Sequence, residues 1–338
     1  MLPISVIICT HNPRADYLRR TLEALKTQTL PKDKWELLLI DNASKDRLAS
    51  GWDLSWHPHA RHIREDELGL TAARLRGIRE AETGLLVFLD DDNVAHQEYL
   101  SNACAIACEH TNLGCYGAGI LKPEFEHAPS PEHLPYVCYL AVRTISRSTW
   151  GNLLPAVPVP WGAGLVVRRA VAQHYERAAE TSPLRAQLDR KGESLMSGGD
   201  DEFSYAANDL NLGVGVFVEL EITHLIDKRR VSGAYLERIL FGNGRSAAIL
   251  AHLHRLSLDN PFKVPRFGAV LNAVLKGHPA RALAALAIWA GFRRKPPVER
   301  TFLQAQSTGW EMGVADISSF QHFYADHVAT SPEISDRT

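Results

Sequence analysis

Three groups of side chains in this sequence have the type and spacing to do chemistry. Asp90, Asp91 and Asp92 follow one another directly; Asp200, Asp201 and Glu202 form a second acidic run; and His224 stands just ahead of Lys228, Arg229 and Arg230. Adjacent carboxylates repel one another unless a positive charge lies between them. A hard divalent cation such as Mg2+ relieves that repulsion and takes phosphate oxygens at the same time. A carboxylate of the second run is suited to accept a proton from a hydroxyl in a transition state. Each group also has an ordinary reading: a solvated acidic turn, a helix cap, a structural histidine.

The elements that must position these groups are legible around them. Leu85-Leu-Val-Phe-Leu89 is a run of five apolar residues directly ahead of the first acids. Such a run reads as a strand buried on both faces, as in a parallel sheet. Ligands of open α/β sheets bind at the carboxyl ends of the strands, which is where these aspartates fall. Further strands are expected over residues 4–9, 35–40 and 62–64, with helices over 17–26, 70–81 and 99–109. This alternation is the pattern of a doubly wound α/β domain. Behind Gly198-Gly-Asp-Asp-Glu202, the residues Phe203, Ala206, Ala207 and Leu210 recur at i, i+3, i+4 and i+7. The second acidic run therefore lies in the first turn of an amphipathic helix, where the dipole and free N–H groups favour an ionised carboxylate. Residues 122–160 are rich in proline and poor in period, and read as loops; His127, His133, Tyr136 and Tyr139 are scattered along them.

Composition narrows the classes. The 338 residues are 45% hydrophobic and 22% charged, which suits a folded protein of about two domain-sized units. The net charge of −2 hides an asymmetry: residues 228–300 hold 14 Lys and Arg against 3 Asp and Glu, or +11, and the remainder carries −13. The C-terminal third is thus expected to face something anionic. The five cysteines form no Cys-x-x-Cys pair, so a zinc ribbon and a thioredoxin-like motif are disfavoured, and Cys104 and Cys108 read as core packing. Free thiols fit a reducing compartment, and no signal peptide is expected, which points to the cytoplasm. No apolar run reaches the ~18 residues of a membrane span. Neither Gly-x-Gly-x-x-Gly after the first strand nor Gly-x-x-x-x-Gly-Lys-Ser/Thr occurs, so dehydrogenase-type dinucleotide binding and P-loop hydrolysis are disfavoured.

Six motifs then appear in order: Val6-Ile-Ile-Cys-Thr-His-Asn12, Leu39-Ile-Asp-Asn-Ala-Ser-Lys-Asp46, Gly69-Leu-Thr-Ala-Ala-Arg74, Val87-Phe-Leu-Asp-Asp-Asp92, Trp161-Gly-Ala-Gly-Leu-Val-Val-Arg-Arg169 and Gly198-Gly-Asp-Asp-Glu-Phe203. Each is weak alone. In this order, over roughly the first 245 residues, they resemble the signature of family 2 glycosyltransferases of the bacterial surface-polysaccharide type. The resemblance implies the GT-A fold, with a mixed, mainly parallel sheet flanked by helices. It implies inverting transfer from a nucleotide-diphosphate sugar, with Mn2+ or Mg2+, to a saccharide or lipid-linked saccharide acceptor. A C-terminal helical extension, residues 246–338, follows the glycosyltransferase domain of residues 1–245, which divides into a nucleotide-binding half (1–115) and an acceptor-side half (116–245).

The resemblance carries roles onto individual residues. Thr10, His11, Asn12 and Asp41 fall at the nucleoside; His11 replaces the family's usual aromatic. Arg74 matches the family's Ala-Arg and would pair with phosphate or with the triple-Asp turn, although Leu75 stands where an Asn is usual. Asp91 falls near the ribose and Asp92 at the metal, with Asp90 a substitute in either role, and His224 at a second metal or phosphate position. Asp201 is the expected base, with Asp200 next. Lys228, Arg229 and Arg230 either hold the pyrophosphate or are plain surface; Arg76 and Arg79 read as helix surface. The acidic run differs by one residue from Gly-Gly-Asp-Glu-Phe of diguanylate cyclases, and helical spacing follows it, so that reading is rejected.

Two other classes compete. A catalytically inactive nucleotide-binding scaffold subunit of a polysaccharide assembly complex would not need both acidic runs. A haloacid-dehalogenase-like phosphatase wants its acids after the first strand, which here ends in Thr-His-Asn. In the C-terminal third, helices are expected over residues 235–241 and 246–256, separated by a Gly-Asn-Gly break, then over 269–275 and 280–292. The last two are short, apolar and flanked by basic residues. They are expected either to lie on an anionic membrane surface, the inner face of the cytoplasmic membrane, or to pack on the catalytic domain. Their basic residues interleave with Leu and Ala rather than with exposed aromatics, so nucleic acid is not expected. Residues 296–338 read as peripheral.

Overall fold

The computed structural model describes residues 3–154, 158–262, 264, 267–276 and 279–328. The chain divides into two compact units, Met1–Ser232 and Gly233–Thr338. In order, the first contains β1 (Ile4–Thr10), α1 (Ala15–Lys26), β2 (Trp35–Asn42), β3 (Ala60–Glu65), α2 (Leu70–Glu80), β4 (Leu85–Asp90), β5 (Asn93–Ala95), α3 (Tyr99–Glu109), β6 (Leu113–Phe125), β7 (Arg143–Thr144), β8 (Thr149–Gly151), β9 (Leu165–Arg168), α4 (Arg169–Thr181), α5 (Pro183–Ala186), α6 (Gly199–Asp209) and β10 (Gly213–Ile226).

The strands form one mixed sheet in the order β3-β2-β1-β4-β9-β6-β10-β5, with β7 beside β6 and β8 beside β10. β3, β2, β1 and β4 run parallel, β9 is antiparallel to both its neighbours, and β6 is parallel to β10. Helices cover both faces. Ile4, Val6, Ile8, Leu37 and Leu39 enter one buried cluster with α1 and α3, and Ile7, Leu38, Ile40 and Phe88 enter the other with α2, α4 and α6. Burial on both sides is why these strands read as unbroken apolar runs rather than alternating ones.

Register brings the strand ends together. Thr10 pairs with Asp41 across β1 and β2, and Cys9 with Asp90 across β1 and β4. Antiparallel pairing of β5 with β10 sets His224 opposite Asn93. β6 escapes sequence reading because Gly114, Gly117 and Gly119 dilute its apolar pattern. They serve close packing: a Cβ on Gly119 would lie 2.7 Å from the Phe217 carbonyl of β10.

The second unit holds α7 (Gly233–Leu253), α8 (Phe267–Leu275), α9 (Pro279–Arg294) and α10 (Pro297–Val328). Two expectations are corrected here. Gly242-Asn-Gly244 does not break a helix; α7 runs straight through it. The cost of about 1 kcal/mol for a helical glycine is offset by helix packing: a Cβ on Gly244 would collide with the Gln306 backbone, and one on Gly309 with the Phe241 backbone. Nor are residues 296–338 peripheral as far as 321, since α10 buries Phe302, Ala305, Trp310 and Ile317, and Arg245 of α7 pairs with Asp316 at 2.6 Å. The small residues that permit this approach carry no apolar signal of their own. Among the described residues, no helix is long and apolar enough to cross a membrane.

Candidate active site

The ends of β1, β2 and β4 form one floor. Thr10 Oγ1 donates to Asp91 Oδ2, and Thr21 Oγ1 of α1 donates to the Asp91 carbonyl at 3.1 Å. Asn93 stitches the turn, accepting from the Asp90 N–H at 3.1 Å and donating to Asp92 Oδ1 at 2.9 Å. His11 and Asn12 are exposed beside it. His11 Nδ1 lies 2.7 Å from the Asn42 carbonyl, and Asn12, with φ of 48°, accepts the Lys45 N–H at 2.9 Å. Asp41 is buried. Its carboxylate accepts the Ser44 and Leu48 N–H groups at 3.1 and 3.2 Å and the Arg64 guanidinium at 2.9 Å. Asp41 thus organises the turn after β2 and anchors Arg64, a partner the sequence did not suggest.

The three adjacent acids titrate apart. Burial, then repulsion from Asp92, pushes the Asp91 carboxyl up to about 7, against the Thr10 hydrogen bond. Burial and Asp92 raise Asp90 as well. Burial would also raise Asp92, but His224, followed by Arg230, holds it below the usual carboxylate range.

Asp92 Oδ2 lies 3.3 Å from His224 Nε2 and 2.8 Å from Arg230 Nη1. Arg230 therefore reaches into the acidic turn, whereas Arg229 turns away onto Asp227 at 2.9 Å. Asp92 Oδ2 and His224 Nε2 converge, as two ligands of a divalent cation would, and Arg230 Nη1 contacts both, lying 3.2 Å from His224 Nε2. Among the described residues no cluster of three or more His, Cys, Asp or Glu could hold a metal ion. Asp92 and His224 would thus supply two ligands at most, which fits an ion that takes its other ligands from phosphate and water, as Mg2+ usually does.

The second acidic run opens α6 as expected, but the helix is capped by the Gly198 backbone with no side-chain cap. Asp200 instead reaches across to accept the Gly162 N–H at 2.9 Å. Glu202 is buried and pairs with Arg185 at 2.6 Å. Asp201 also differs from expectation. Burial, then Asp200, Glu202 and Asp189, raise its carboxyl well above the ordinary range. Desolvation and three like charges outweigh the helix N-terminus.

Arg74 is committed to a partner that sequence reading missed. Its Nη1 donates to both carboxylate oxygens of Asp189 at 3.0 Å, with both side chains 5% exposed. Thr71 Oγ1 adds a third hydrogen bond to Asp189 at 3.0 Å. Gly199 must lack a side chain because a Cβ there would strike this carboxylate, and one on Gly162 would lie 2.6 Å from Arg74 Nη2. The Arg190 carbonyl accepts the Leu70 N–H at 3.0 Å. The Asp189–Arg190 strap therefore ties the start of α2 to the start of α6, and Arg74 is placed there rather than on the triple-Asp turn.

Residues 5–175 match the family described as Glycosyl transferase family 2. The chain belongs to that family. Its fold is GT-A, as the order of motifs implied. The mannosyltransferase PcManGT from Pyrobaculum calidifontis, solved in complex with GDP-Man and Mn2+, superposes with a TM-score of 0.58 at 19% identity over 94% of this chain and 88% of that one. Glycosyltransferase AglE of Haloferax volcanii is 35% identical over 100 residues, 29% of this chain and 33% of that protein. Validoxylamine A glucosyltransferase of Streptomyces hygroscopicus is 32% identical over 157 residues, 44% of this chain and 36% of that protein. The matched stretches thus span about a third of these two relatives.

Proposed function

We propose that this family 2 chain transfers a sugar, with inversion, from a nucleotide-diphosphate donor to a hydroxyl of a saccharide or lipid-linked saccharide acceptor in surface-polysaccharide synthesis. The observation that supports the reading is that both acidic runs lie within electrostatic reach of one buried guanidinium, Arg74, which feels Asp189, Asp200 and Asp90. The Asp90–Asp92 turn lies beside Thr10 at the strand ends, and Asp200 accepts the Gly162 N–H near the Arg74–Asp189 pair.

The nucleoside lies over Thr10, His11 and Asn12, beside the turn that Asp41 organises, and Asp91 faces the ribose. Asp92 and His224 are the residues that would hold Mn2+ or Mg2+, which when bound would neutralise charge on the departing diphosphate. Arg230 shares that charge. The Asp201 carboxylate takes the acceptor's proton as its oxygen attacks the anomeric carbon from the face opposite the diphosphate. The new C–O bond forms as the old one breaks, and the nucleoside diphosphate leaves. The raised proton affinity of Asp201 suits this role, because a base works best with a pKa near the working pH. Both acidic runs are present, which disfavours the inactive scaffold.

A thermal-shift screen against nucleoside diphosphates, with Mn2+, Mg2+ or chelator, tests the reading. A ligand of the native state raises its stability by mass action. A shift with one nucleoside diphosphate, lost on chelation, supports a metal-dependent donor site, and turnover of the matching nucleotide sugar then separates the transferase from the nucleotide-binding scaffold; no shift with any of them overturns the reading. In the same assay format by calorimetry, Asp92→Ala is expected to weaken Mn2+-dependent binding by at least ~10-fold. Unchanged affinity would remove Asp92 as a ligand.

The second unit is proposed to rest on an anionic membrane surface at the cytoplasmic face. Leu271, Val274 and Leu275 lie exposed at i, i+3 and i+4 on α8, and Leu283, Leu286 and Ile288 are exposed on α9. Residues 260–298 contain 7 Lys and Arg and no acid. Exposed aliphatics amid basic residues suit an interfacial helix pair. The full chain carrying Leu275→Glu, Leu283→Glu and Ile288→Glu is expected to pass from largely bound to largely free in cosedimentation with phosphatidylglycerol vesicles. Undiminished binding would locate the membrane contact elsewhere or nowhere.

A further inference from the structure

Arg143 stands in the proline-rich stretch that sequence reading treated as loops. The structure fixes it there. β7 pairs antiparallel with β6, setting Arg143 opposite Leu121 and Thr144 opposite Ile120, and the Ile145 N–H bonds to the Gly119 carbonyl at 3.1 Å. From this strand the guanidinium lies flat over Trp161, 3.5 Å from the ring centroid. Nη1 is buried and hydrogen-bonded to nothing. Among the described residues no carboxylate lies within ion-pair distance of Arg143, although Asp200 and Asp201 are near enough for their charge to be felt. Burial lowers its proton affinity to about 10.

A guanidinium with a buried, unpaired N–H is costly, and such a group calls for an explanation. Stacking on Trp161 occupies the face of the guanidinium but leaves its in-plane donors unused. Those donors form a planar fork that matches the oxygens of a phosphate or a carboxylate. Position indicates which anion. Trp161 is followed by Gly162, whose N–H holds Asp200, so Arg143 lies beside the acid pair of α6. The diphosphate of the donor belongs at the other acidic site, with Asp92, His224 and Arg230.

We propose that Arg143 binds an anionic group of the acceptor, a phosphate or a carboxylate close to the attacking hydroxyl, so that the acceptor is a charged saccharide rather than a neutral one. This rests on the transferase reading and on Asp201 as its base.

Calorimetry tests it on the full chain, saturated with Mn2+ and the nucleoside diphosphate found by thermal shift so that the donor site is filled. The probes are glucose 1-phosphate, glucuronate and glucose. One anionic probe is expected to bind about 10-fold or more tighter than glucose, as a charge-assisted hydrogen bond implies. Arg143→Gln should abolish that preference and Arg143→Lys restore part of it, with nucleoside diphosphate affinity unchanged in both. Equal affinity for charged and neutral probes in the parent overturns the proposal. So does an anion preference that survives Arg143→Gln, or a nucleotide affinity that falls with it, which would assign Arg143 to the donor diphosphate. Should no nucleoside diphosphate bind, the transferase reading fails separately, and the probes titrated alone against parent and Arg143→Gln still decide whether this guanidinium is an anion site.

Discussion

Asp201→Asn is expected to bind the nucleoside diphosphate as the parent does and to lose about 10^2–10^4-fold in kcat, the usual contribution of a positioned general base. Asparagine keeps the shape and removes only the proton acceptor. Near-normal turnover would eliminate Asp201 and move the role to Asp200. The pH profile carries an independent signature. A base acts only when ionised, and burial with Asp200, Glu202 and Asp189 around it raises the proton affinity of Asp201. The ascending limb of kcat/KM therefore lies above the ordinary carboxylate range. Asp200→Asn removes the charged neighbour that raises Asp201 most, and retains an acceptor for the Gly162 N–H. The limb should then shift to lower pH. An unmoved limb would mean that Asp201 does not set it.

Asp189→Asn is expected to destabilise the protein by about 3–5 kcal/mol, the cost of leaving one member of a buried ion pair without the other. Arg74 is buried and its Nη1 hydrogen bonds both go to Asp189. For a unit of this size the melting temperature should fall by about 6–20 °C. Replacing both partners at once, as Arg74→Met with Asp189→Leu, should recover most of the loss, because a well-packed apolar pair is often no less stable than a buried ion pair. A loss under about 1 kcal/mol for Asp189→Asn in urea unfolding would mean that water reaches Arg74.

The strands β1, β2 and β4 and the acids at their ends were legible because the rules that place them are local. A continuous apolar run ending in polar residues marks a strand buried on both faces. Spacing at i, i+3, i+4 and i+7 after Asp201 placed the second acids at a helix start in the same way. β6 was not legible, since its glycines answer to the backbone of β10 rather than to any period of their own. α7 and α10 follow the same logic: Gly244 reads as a helix breaker, and the stretch around Gly309 as peripheral, until the two helices are laid against each other.

Side-chain partners divide along the same line. Residue type suggested a cation at Asp90–Asp92 and told that Asp200 and Asp201 open a helix. Ordered motifs along one chain told the family. Which carboxylate holds Arg74, which arginine enters the acidic turn and which stays on the surface, and that the half-buried Arg143 lies beside the acid pair were decided only by tertiary structure. Asp189 is 115 residues from Arg74, and Arg230 is 138 from Asp92. Periodicity extends over one element and says nothing across such separations. The proton affinity of Asp201 depends on the same packing. Its sequence position at a helix start favours the ionised form, and the neighbours the fold assembles around it reverse that preference.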